Sequence, residues 1–81
     1  YMQTNKTLFR DFFAVKFKKY RFKHNLSQEQ MAERLHMSTR SYSDIERRIY
    51  GISAQTLVMY MLIISEDELQ QLILDLRKLM L

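Results

Sequence analysis

The sequence predicts an all-α fold of five helices, and three observations carry that prediction. Proline is absent and there is one glycine, Gly51, whereas strands joined by tight hairpins need more turn residues. Apolar residues recur at spacings of three and four along most of the chain. Serines stand just ahead of four of the apolar runs, where helix N-caps belong. At 81 residues the chain is expected to form one domain over 1–81. Hydrophobic residues make up 47% of it, enough for a packed core. A domain this small still buries only about 60–65% of its unfolded surface and gains from association.

The first helix is expected over residues 7–24. Phe9, Phe13, Phe17 and Tyr20 form an apolar row, Leu8, Phe12 and Val15 an adjoining one, and Lys16, Lys18, Lys19 and Lys23 flank them. Asn25 follows, where a left-handed residue can close the helix. Tyr1 precedes Met2, and Met2 reads as the natural start.

The second helix opens at Ser27, with Gln30 completing a capping box. Leu26 and Met31 bracket that cap as a hydrophobic staple, and Met31, Ala32 and Leu35 face inward. The helix is expected to end near Leu35, with His36 and Met37 in the turn. The third opens at Ser38, with Met37 and Tyr42 in staple positions. Tyr42, Ile45 and Ile49 make its inner face. Thr39, Arg40, Ser43, Asp44 and Arg47 make a polar outer face, rich in hydrogen-bonding groups.

A loop around Gly51 leads to Ser53, the cap of a fourth helix with Leu57, Val58, Met61 and Ile64 expected inward. Ser65 and Glu68 form a second capping box and open a fifth helix. There Leu69, Leu72, Leu76 and Leu79 align at spacings of three and four, and Ile73 and Met80 widen the stripe. A terminal helix apolar on more than one side cannot bury everything against one small monomer. Leu72, Leu76, Leu79 and Met80 are therefore expected at a homodimer interface.

Net charge is +4 and is unevenly spread. Residues 1–26 carry seven basic side chains against Asp11 alone, residues 27–53 are neutral, and residues 54–81 are mildly acidic. Such a distribution suits a polyanion on one side of the molecule, or a solvated charged face. The absence of cysteine excludes disulfides, thiolate chemistry and cysteine-ligated zinc, and fits a reducing cytoplasm. The longest apolar run, residues 57–64, is too short to span a membrane. His24 and His36 have no partner at metal-ligand spacing, so no metal and no cofactor are expected. No phosphate-binding glycine loop or paired inward carboxylates point to an enzyme. Glu66, Asp67 and Glu68 occupy the first turn of a helix, where the dipole favours carboxylates.

The stretch LSQEQMAERLHMSTRSYSDIERR, residues 26–48, resembles the helix-turn-helix of the Cro/repressor class, the lambda-repressor-like or XRE-type domains. Arg21, five residues before Leu26, belongs to the pattern. So do Ser27, Gln28, Glu29, Met31, Ala32, Leu35, Met37, Ser38, Tyr42, Ser43, Ile45, Glu46 and Arg47, and downstream Ser53, Leu57, Leu62, Ile64, Ser65 and Leu69. The resemblance covers residues 13–70, with 1–12 as an extension of the first helix and 71–81 as an extension of the fifth.

The resemblance implies a lambda-repressor-like DNA-binding domain whose third helix enters the major groove. It implies base contacts from Thr39, Arg40, Ser43 and Asp44. Gln28, Ser41, Arg47, Arg48 and Lys23 would meet phosphates. Arg21 would either touch phosphate or pair with an acid such as Glu46 or Glu29. The implied partner is double-stranded DNA with a near-palindromic operator, bound by a homodimeric, cytoplasmic transcriptional regulator, a repressor. The alternative is a protein-interaction module of the same fold, antitoxin-like, using the apolar faces of helices one and five.

Three departures from the pattern carry expectations. His36 replaces the usual turn glycine, and histidine tolerates positive φ only at some cost. Arg48 replaces a second glycine, so the third helix is expected to run on to Ile49 or Tyr50. Asp44 turns a negative charge toward the proposed polyanion, unless it pairs with Arg40 or Arg48 one turn away on its own helix.

Overall fold

The computed structural model describes residues 2–81, with side chains from Lys6 onward, so Tyr1 lies outside the described residues. Five helices follow one another: α1 (Met2–Lys23), α2 (Gln28–Arg34), α3 (Thr39–Glu46), α4 (Ala54–Ile63) and α5 (Glu66–Met80). The described residues contain no strand. The four serine caps are formed as expected. Ser27, Ser38, Ser53 and Ser65 each accept a hydrogen bond from the backbone N–H three residues on, and Gln30 and Glu68 close capping boxes on Ser27 and Ser65. Each cap satisfies a helix-end donor that would otherwise lack a partner.

The first three helices end in the same way. Asn25, His36 and Arg48 take φ of 54°, 58° and 64°. The N–H of each returns to the carbonyl three residues back, and the next residue's N–H to the carbonyl five back, as in Met37 to Ala32 at 3.0 Å and Ile49 to Asp44 at 2.9 Å. This is the left-handed C-cap that glycine usually occupies. It corrects the expected length of the third helix: α3 stops at Glu46, because Arg48 adopts the left-handed conformation and the cap bonds consume the last carbonyls. Gly51 has no positive φ.

A non-glycine residue in this conformation costs about 1 kcal/mol or somewhat more, partly offset because glycine loses more entropy on folding. His36 is exposed. His36→Gly is therefore expected to raise stability by about 0.5–1 kcal/mol, read as a higher urea midpoint at unchanged m-value. An unmoved or lower midpoint would mean that His36 is not strained.

α1 begins at Met2, five residues before the expected start. No glycine, proline or capping serine interrupts that segment. The core is aromatic. Phe13, Phe17, Tyr20, Tyr42 and Tyr60 are buried together with Met31, Ala32, Leu35, Ile45 and Leu72. Phe17 stacks on Tyr42 with centroids 6.2 Å apart and meets Tyr60 at 4.7 Å. Leu26 and Met37, the two staple residues, pack against this cluster.

Several expected inward residues lie outside it. Leu8, Phe9 and Val15 on α1 and Ile49 beyond the α3 cap are exposed. On α4 the expected face is half right: Leu57 and Ile64 pack against the core. Val58 and Met61 are exposed, while Thr56 and Tyr60 are buried. A helix apolar almost all round has no polar stripe to set its rotation, and Tyr60, wedged against Phe17 and Tyr20, sets it instead.

Candidate nucleic-acid interface

The helix pair α2–α3 is braced from α1 through one carboxylate. Arg21 grips Glu46 with both sides of its guanidinium, Nε to Oε2 at 2.8 Å and Nη2 to Oε1 at 3.0 Å, while Nη1 donates to the Leu26 carbonyl at 3.2 Å. Gln28, the first residue of α2, donates from Nε2 to Glu46 Oε1 at 3.1 Å. The Tyr42 hydroxyl donates to Oε2. Glu46, at the end of α3, therefore accepts hydrogen bonds from α1, from α2 and from its own helix. Its side chain is only 5% exposed and that of Arg21 12%.

Burial works against a charged carboxylate, but bonds from Arg21, Tyr42 and Gln28 outweigh it and hold the Glu46 pKa below its usual value. The bond to Glu46 pushes the Arg21 pKa up despite desolvation. Burial, then the bond to Glu46, pushes the Tyr42 phenol up. A bidentate, desolvated pair of this kind fixes orientation as well as adding energy. Of the two acids expected for Arg21, the partner is Glu46.

That brace leaves the outer face of α3 free. Thr39, Arg40, Ser41 and Arg47 are exposed, and Ser43 and Asp44 half-buried. Arg40 and Arg47 are seven residues apart and so share one side of the helix. Ser43 lies to the Thr39 flank. Ser41 and Asp44 lie to the other, beside Tyr50, Gly51 and the start of α4. Ser41 is engaged in the cap, its hydroxyl accepting from Ser38 Oγ at 2.9 Å.

The expected pairing of Asp44 with Arg40 or Arg48 is not what forms. Asp44 Oδ1 faces Arg47 Nη1 at 3.7 Å, a loose pair with the arginine largely in solvent. Arg48 is carried away by its left-handed backbone and meets Asp11 of α1, Nε to Oδ1 at 3.1 Å. Arg40 joins no ion pair among the described residues.

Lys23, expected at a phosphate, is tied to the head of α5, where Nζ meets Glu68 Oε2 at 3.1 Å and His24 Nε2 meets the same oxygen at 3.2 Å. Burial opposes the Glu68 charge, but the Ser65 N–H, His24 and Lys23 outweigh it and draw its pKa down to about 2. No sequence signal marked the Asp11–Arg48 or Lys23–Glu68 pairs, since their partners lie far apart in the chain.

Of the expected dimer residues, Leu72 is 2% exposed and belongs to the monomer core, because it sits on the side of α5 that faces Tyr60 and α1. Leu76 packs against the same core and Leu79 is half-buried. Met80 is 59% exposed, and Ile73 and Leu74 beside it are also exposed. Among the described residues no helix is long and apolar enough to cross a membrane, and no cluster of three or more histidine or acidic side chains could hold a metal.

Two short helices joined by a tight left-handed turn, the second locked by a buried ion pair and showing a polar, cationic face outward, define a helix-turn-helix domain. Residues 17–61, more than half the chain, match the family model described as helix-turn-helix, HTH_3. The chain belongs to that family, the XRE or Cro/C1 type, and is a DNA-binding, helix-turn-helix regulator of transcription. No curated protein and no solved structure matches it significantly.

Proposed function

We propose that the protein is a repressor that reads a near-palindromic duplex operator as a homodimer, with α3 in the major groove. The observation that carries this reading is the outer face of α3, with Thr39 and Arg40 exposed at its start and its orientation set by the Glu46 brace. Thr39, Arg40, Ser43 and Asp44 meet base edges. Gln28, Ser41, Arg47 and Arg48 meet phosphates, Gln28 while holding Glu46. Lys23 joins that set, exchanging Glu68 for phosphate as Arg48 exchanges Asp11. Two subunits would place their α3 helices about 34 Å apart on one face of the duplex.

Arg40 is the chief base reader, since a guanidinium can grip guanine O6 and N7 together. Selection from random duplexes should return a palindromic site with half-sites one helical turn apart. Arg40→Ala should cost about 1–3 kcal/mol on that site and relax preference at one position of each half. An enriched site on which Arg40→Ala binds with unchanged affinity and preference would remove Arg40 from the reading face.

A second reading, a protein-interaction module, draws on the apolar side chains that the monomer leaves in solvent: Val58 and Leu62 on α4, Ile73, Leu74 and Met80 on α5. The homodimer uses the same surface of α5. Selection that enriches no duplex site would favour the module.

A further inference from the structure

The amino-terminal half of α1 lies against the loop that follows α3. The Arg10 side chain passes beside Gly51, its Cγ and Nε 3.5 and 3.7 Å from where a Cβ on that glycine would stand. Lys6 and Arg10 line one cleft with Phe9, Gly51 and Ile52. The Arg48–Asp11 pair at 3.1 Å fastens the same loop to the same helix. Cations from two separate parts of the chain thus come close, Lys6 and Arg10 from α1 and Arg48 from just past the end of α3.

The two sides of α1 differ in how their charge is balanced. On the side facing α5, Lys16 pairs with Asp75 and Lys23 with Glu68, while Lys19 beside them joins no ion pair among the described residues. On the side facing the loop, Asp11 is engaged by Arg48, and among the described residues neither Lys6 nor Arg10 joins an ion pair. Both are exposed. Unbalanced positive charge beside Arg48, proposed to meet phosphate, is matched by further phosphates, which recur along DNA at about one charge per 1.7 Å of axis. An acidic protein would satisfy the same charges, but continuity with Arg48, itself proposed to meet phosphate, favours the duplex.

We infer that Lys6 and Arg10, beside the α3–α4 loop, form an additional phosphate-contacting site that extends the grip on DNA beyond the helix-turn-helix. The inference rests on the duplex-binding reading above. It assigns a function to a segment of α1 that precedes the matched family residues.

The test is titration of the selected operator duplex at several salt concentrations with the wild type and the Lys6→Gln/Arg10→Gln variant. Each lost phosphate contact lowers the slope of log affinity against log salt by about 0.9. The double variant should therefore lose about two from the slope and on the order of tenfold or more in affinity at 0.1 M salt, with its preferred sequence unchanged. A control of equal charge, Lys19→Gln/Lys78→Gln, should leave the slope close to that of the wild type. Lys6→Arg/Arg10→Lys should restore it, which separates lost contacts from a weakened helix. An unchanged slope in the first variant, or an equal fall in the control, overturns the inference while duplex binding stands. A wild type that binds no duplex overturns the reading beneath it and the inference with it.

Discussion

Arg21→Ala is expected to cost about 3–5 kcal/mol of stability, because it leaves Glu46 charged, buried and without its cation. The total stability of such a domain is about 5–15 kcal/mol, so the loss would unfold much of the population on mild heating. Urea denaturation gives the number directly. Glu46 would retain its bonds from Tyr42 and Gln28, which places the expected value toward the lower end of the range. Arg21→Lys keeps the charge but cannot make the two parallel bonds, and should recover only part of the loss. A cost below about 1 kcal/mol, the level of a surface pair, would show that the network adds little and that packing alone orients α3. The pair also sets a pH dependence. The Glu46 pKa is lowered on folding, so its contribution is complete above the ordinary glutamate pKa and is lost as pH falls through the lower, folded value.

Phe17→Ala is expected to cost about 3–5 kcal/mol through lost burial and a cavity. Phe17 is 0% exposed and its ring meets three others: Phe13 along its own helix, Tyr42 on α3 and Tyr60 on α4. The three neighbours are rigid rings, so the site cannot collapse easily and the upper part of the range is expected. Phe17→Leu should cost less, since more of the volume remains. The same denaturation series measures both. A loss under about 1.5 kcal/mol for the alanine variant would mean that the aromatic cluster repacks, and that α3 is held chiefly by the Glu46 brace.

These two positions differ in how far they could be read from the chain. The row Phe9, Phe13, Phe17, Tyr20 was legible as periodicity, and all of it but the exposed Phe9 is core. Arg21 was legible as an ion-pair partner only through its place in a family pattern. Nothing local links it to Glu46, 25 residues away. The helix starts were the clearest features, because a serine cap and its glutamine or glutamate act within four residues. Helix ends were harder. Asn25 and His36 could be anticipated in the left-handed conformation, but Arg48 was expected to prolong α3. Arginine has no special tolerance for positive φ, and only the cap bonds to Asp44 and Ile45 and the waiting Asp11 account for it.

The base-reading candidates rest on family positions and on exposure. Exposure agrees with the expectation for Thr39 and Arg40, both in solvent at the start of α3. It disagrees for Leu72, which the leucine row of α5 placed at an interface and the monomer keeps for itself. A stripe at spacings of three and four says that a helix has a buried face, not which chain buries it.

The amino-acid order by itself therefore determined what acts over short range: the helical class, the four serine caps and the position of the helix-turn-helix. Tertiary structure alone decided the rotation of α4, the stop after Glu46, the choice of Glu46 over Glu29 as the partner of Arg21, and the long-range pairs Asp11–Arg48 and Lys23–Glu68. Caps and periodicity follow from backbone groups a few residues apart, whose hydrogen bonds form wherever the helix forms. Ion pairs across helices and the choice of buried face depend on which surfaces meet, and that is set by the packing of Phe17, Tyr42 and Tyr60 at the centre.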